Sequence, residues 1–94
     1  MNEEGKILKY VGMAGIIRDY LLTFKGKESV VSLTAREARK LEGMDEYASN
    51  KCYNNVGRAM EFVAEHYFYG KQVSGTVKGN STYVFVYEID KQPI

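Results

Sequence analysis

The stretch from Asn50 to Ile89 constrains the fold most, because within it the apolar period changes from helical to twofold. From Asn50 the apolar residues fall at Val56, Met60, Val63 and Tyr67, with Ala59 and Ala64 on the same side. That spacing predicts one long helix from Asn50 to Tyr69 with a single buried stripe. Ser49 or Asn50 is its expected N-cap, and Gly70 its expected stop in the C′ manner. Beyond it, Tyr83, Phe85, Tyr87 and Ile89 alternate with Val84, Val86 and Glu88, and the preceding arm carries Val73 and Val77. These predict two strands, residues 72–77 and 82–89. Between them Lys78-Gly79-Asn80-Ser81 has a central Gly-Asn pair, which suits a two-residue primed turn because both residues tolerate positive φ. The expected frame is a helix leading straight into a tight β-hairpin.

With 94 residues the chain is expected to form one domain, its core spanning about residues 6–89. Ordinary apolar and charged fractions favour a folded, soluble protein over a disordered one. Thirteen Lys and Arg stand against twelve Asp and Glu, so affinity for a polyanion has to come from local segregation of charge. Cys52 is the lone cysteine, which excludes an intramolecular disulfide and suits a reducing, intracellular (cytoplasmic) setting. The apolar run from Tyr10 to Ile17 follows acidic residues and is broken by Arg18-Asp19, so neither a signal peptide nor a membrane span is read there.

Taken in order, residues 4–24 carry Ile7, Leu8, Val11, Ile16, Ile17, Tyr20, Leu21 and Phe24, a pattern that predicts a helix with a broad apolar side. Gly12 and Gly15 each cost about 1 kcal/mol relative to Ala in a helix interior, and so mark either close packing against a neighbouring helix or a turn between two strands near Met13 to Gly15. Gly26 is the expected stop, and residues 28–33 predict a short strand from the Val30-Val31 pair. Thr34-Ala35-Arg36-Glu37 is a capping box, which starts a short helix at Ala35. Its inward residues are Ala35, Ala38 and Leu41, its exposed ones Arg36, Arg39 and Lys40, and its expected end is Gly43. Residues 44–49 serve as a connection containing a turn of helix.

The order of helix, short strand, short helix, turn, long helix, strand, turn and strand resembles the winged helix-turn-helix domain of small DNA-binding regulators, an α+β fold. The resemblance lies in element order and spacing across residues 6–89. Small winged-helix proteins of archaea and their viruses are similar in size and tyrosine content. It implies that the early strand joins the hairpin in one sheet, that the Asn50 to Tyr69 helix enters a major groove, and that the hairpin is a wing. It also implies a homodimeric transcriptional regulator of double-stranded DNA.

On that frame the candidate base-reading residues are Lys51, Tyr53, Asn54, Asn55 and Arg58, because Asn can pair with adenine and Arg with guanine through two hydrogen bonds each. Asn54 and Arg58 are one turn apart, with Lys51 a turn earlier on the same face. The bland reading is a capped, solvated helix start. Arg36, Arg39 and Lys40 are candidate phosphate contacts that hold register, although any solvated helix looks similar. At the wing, Lys78 and Asn80 make a small polar tip, or merely a soluble turn. The alternating Tyr83, Phe85 and Tyr87 could stack on single-stranded bases, but such a strand more often faces a core. His66 and Cys52 would be about 21 Å apart along one helix, too far for a nucleophile and base pair. No metal spacing, phosphate loop or small-molecule motif is present, so neither a cofactor nor enzymatic activity is expected. The competing class is a protein-interaction adaptor on the same fold that never touches DNA.

Overall fold

In a computed structural model of the chain, residues 3–47 and 53–92 are described, with the side chains of the first helix from Tyr10 onward. Helix α1 spans Glu3–Leu22. Its inward face is built from Met13, Ala14, Ile17 and Leu21, all fully buried, flanked by Tyr10, Tyr20 and Phe24. This spacing of three and four is the stripe a helix needs, so the helical reading holds and the two-strand alternative does not. Val11, expected on the apolar side, is instead exposed. Gly12 is the close-packing glycine: a Cβ there would collide with the ring of Tyr47, whereas Gly15 faces only open space near Arg18. The helix ends before Gly26, which takes a positive φ of 83° in the following turn.

Strand β1, Val30–Thr34, alternates outward Val30 and Ser32 with buried Val31 and Leu33. Thr34 then caps helix α2, Ala35–Arg39. Its hydroxyl accepts from the Glu37 amide at 3.1 Å while the Glu37 carboxylate accepts from the Thr34 amide at 2.9 Å, the reciprocal pairing that satisfies two orphan donors. The helix is shorter than the expected run to Gly43. After Arg39 the bonds tighten to the i−3 pattern, from the amides of Lys40 and Leu41, and Gly43 turns at φ 94° into a 3-10 turn, Met44–Glu46. Met44 is fully buried there. Unwinding of α2 brings this side chain into the core, which a continued helix would have carried past it.

Helix α3 spans Tyr53–His66 and buries Val56, Ala59, Met60 and Val63, the predicted stripe. The expected start at Asn50 lies outside the described residues. The expected end at Tyr69 is corrected: the helix stops at His66, Phe68 turns into the core, and strand β2 already begins at Tyr69, running Tyr69–Gln72. Gly70 is therefore no helix cap. It pairs with Tyr87 of strand β3, Val84–Glu88, and a Cβ at Gly70 would lie 2.6 Å from the Tyr87 ring. Glycine sits there because an aromatic ring needs the space.

The three strands form one antiparallel sheet in the order β1-β3-β2, with Val31 opposite Tyr87 and Leu33 opposite Phe85. One face of β3 carries Phe85 and Tyr87, and Tyr83 and Ile89 beside its ends are buried too. Among the described residues this is a small α+β fold of three helices and a three-stranded antiparallel sheet, with α1 packed against α3. The two-residue hairpin turn is not what forms. After the Val73 amide bonds the Val84 carbonyl at 2.9 Å, residues 73–83 make a longer loop. Its turns place Gly75 and Gly79 at positive φ, and the Asn80 amide bonds Val77 O at 3.1 Å around a Lys78-Gly79 centre. A positive φ at the third turn position is the demand that Gly79 meets.

Candidate nucleic-acid interface

Three backbone junctions bring the sequence-nominated residues to one end of the molecule. The start of α2 is tied to the β2–β3 loop, since the Arg36 amide bonds Ser81 O at 3.0 Å and the Ala35 amide bonds Tyr83 O at 2.8 Å. The start of α3 is tied to the same loop by an antiparallel bridge between Tyr53 and Gly79. Arg36, Asn54, Lys78 and Asn80 therefore belong to one surface although the sequence spreads them over half its length. Arg36, Lys40, Asn54 and Asn80 are all exposed. Tyr53 and Asn55 are half-buried, Tyr53 against the core, and Lys51 lies outside the described residues.

Several expected cations are already engaged. Arg39, expected on the exposed side of its helix, is half-buried and bonded to Asp45 at 2.8 Å. Arg58 donates to the Tyr10 hydroxyl at 2.7 Å with its guanidinium over that ring, so it braces α3 against α1. Lys78 pairs with Glu61 of α3 at 2.9 Å. Of the basic candidates, Arg36 and Lys40 stand exposed with no ion-pair partner among the described residues. The positive surface is consequently narrower than the residue list suggests.

No protein-family model, curated protein or solved structure matches this chain. Function has to be read from the geometry.

Tyr83 completes the local network: its hydroxyl lies 3.3 Å from Glu61 Oε1 and 3.4 Å from Gln72 Oε1. Burial foremost, then the Glu61 charge, raises its pKa to about 12. Burial also raises Tyr87 well above the ordinary range, its hydroxyl donating to the Met60 carbonyl at 2.8 Å. Both rings face the core and cannot stack on bases. Because both folded pKa values lie above the unfolded value near 10, the stabilisation is complete below about pH 10 and is lost as pH climbs toward about 12 and beyond. Alkaline titration should show phenolate absorbance from these two residues appearing together with loss of circular dichroism. The assignment fails if the absorbance that Tyr87→Phe removes develops while the fold is intact.

Sequence reasoning missed the Glu61–Tyr83 contact and the buried Gly57 that lie beneath this surface. Gly57 was the available signal, since a glycine inside a striped helix costs about 1 kcal/mol and implies a close neighbour. Tyr10, the partner of Arg58, had no local signal at all. Among the described residues no group of His, Cys, Asp or Glu could hold a metal ion, and no helix is long and apolar enough to cross a membrane. Cys52 lies outside the described residues, and His66 is exposed beside Phe62.

Proposed function

We propose that the chain is a winged helix-turn-helix protein that binds double-stranded DNA as a transcriptional regulator. The observation that carries this reading is the convergence of the α2 start, the α3 start and the β2–β3 loop on one end of the molecule. The pairing of the strand before α2 with β3 agrees with the sheet that the resemblance implies. In this reading α3 approaches a major groove by its first turns. Asn54 and Arg58 would face base edges there, the latter exchanging its Tyr10 contact for a base. Arg36 and Lys40 would hold phosphates from α2, and the loop would act as a wing. The last turns of α3 carry Glu65 and would turn away from the backbone. A homodimer through α1 belongs to the same proposal: Val11 and Leu22 are exposed three turns apart on one face, with Gly15 open between them.

Fluorescence anisotropy with a random-sequence duplex across a salt series tests this. Affinity should fall steeply with salt, because binding releases condensed counterions. Arg36→Ala should weaken all sequences alike and reduce the slope by about one, whereas Arg58→Ala should cost about 1 to 3 kcal/mol of discrimination between sequences. Absence of binding at low salt would overturn the proposal and favour a protein-interaction module, for which the near-zero net charge and the internally paired cations already speak.

A further inference from the structure

The β2–β3 loop does not project freely but is seated on α3 by the Lys78 side chain and by the Tyr53–Gly79 bridge. A Cβ on Gly57 would lie 3.0 Å from Lys78 Cγ and 3.3 Å from the Tyr83 ring, so the Lys78 stem crosses the helix at the one residue that leaves room for it. Its ammonium then reaches Glu61 Oε1, 2.9 Å away, the same oxygen that accepts from the Tyr83 hydroxyl. The Tyr53–Gly79 bridge anchors the adjoining loop residue. Gly57, Glu61, Lys78 and Tyr83 form one catch between wing and helix, beside the turns assigned above to base reading.

We propose that Glu61 is an internal stand-in for a nucleic-acid phosphate, holding Lys78 on α3 in the free protein and yielding it to the DNA backbone when a duplex docks. This rests on the DNA-binding reading and adds a regulated contact to it. The chemistry favours exchange over permanent pairing. The lysine and glutamate side chains are 43% and 32% exposed, so their attraction is screened and weak. A duplex offers a dense row of phosphates whose occupation releases counterions. Glu61, once deserted, rehydrates and still accepts from Tyr83, so no charge is stranded in the core. The catch also accounts for how a nearly neutral protein retains a wing cation for its ligand: the charge is masked until an anion competes for it.

The test compares duplex affinity by anisotropy for wild type, Glu61→Gln, Glu65→Gln and Lys78→Ala, and for Glu61→Gln combined with Lys78→Ala, each checked for folding by thermal melting. Glu61→Gln frees Lys78 while keeping an acceptor for Tyr83. Glu65→Gln removes the same charge one turn later without freeing a lysine. The expected result is tightening by about threefold to fivefold for Glu61→Gln, the range a partly exposed ion pair allows, a smaller effect for Glu65→Gln, and no gain from Glu61→Gln once Lys78 is gone. Equal gains for the two glutamines, or a gain that survives in the Lys78→Ala background, would overturn the exchange and leave DNA binding standing. Wild-type protein that ignores duplex at low salt would overturn both.

Discussion

Truncating Tyr87 to alanine is expected to destabilise the protein by about 3 to 5 kcal/mol, the cost of emptying an aromatic site that cannot collapse. Tyr87 is fully buried on the central strand, stacked on Phe85 at 5.7 Å and paired in register with Val31 on one side and Gly70 on the other. Its hydroxyl reaches Met60 O, so the same residue joins the sheet to α3. Every layer of the fold would lose contacts at once. Tyr87→Phe keeps the ring and removes only that hydrogen bond, for which about 1 kcal/mol is expected. A chain of this size has roughly 5 to 14 kcal/mol of stability in all, so the alanine variant should show a much reduced urea midpoint and the phenylalanine variant a modest shift. Equal costs for the two would mean that the ring is not the keystone its burial indicates.

Gly70→Ala is the second large effect, at about 1 to 3 kcal/mol for overpacking. The new methyl would meet the Tyr87 ring at 2.6 and 2.9 Å and Ala64 Cβ at 3.2 Å. Gly70 is not among the positive-φ glycines, so the penalty comes from contact and not from backbone strain. That distinction is measurable. In a Tyr87→Ala background the space is vacant, and Gly70→Ala should cost almost nothing there, a strong departure from additivity between touching sites. If the cost were unchanged in the double variant, Gly70 would be acting through its backbone, as a helix stop would, and the strand assignment would be in error.

These two residues also mark where reading the chain and seeing it folded diverge. A glycine after an apolar helical stripe has the local signature of a C′ cap, and nothing near Gly70 in sequence announces Tyr87, seventeen positions later. The wing diverges for a related reason. Gly79-Asn80 is locally competent for a two-residue turn, yet the Tyr53 bridge and the Lys78–Glu61 pair draw the loop onto α3, and the turn forms instead around Lys78-Gly79. The recruitment of Arg58 by Tyr10, 48 positions earlier, follows the same pattern, with an exposed-looking cation finding its partner across the fold.

The sequence by itself determined the features that depend on neighbours within a few residues. The Thr34–Glu37 capping box, the Val56–Met60–Val63 stripe of α3, the helical state of α1 and the alternation of Phe85 with Val84 and Val86 are present as read, because period and capping are local properties of the backbone, although the buried face of α1 is Met13, Ala14, Ile17 and Leu21. Tertiary structure alone decided where α2 and α3 stop, which glycine makes room for which ring, and which cations remain open to a ligand. Those outcomes turn on side chains that meet only after the chain has closed on itself, so a short-range pattern could not carry them.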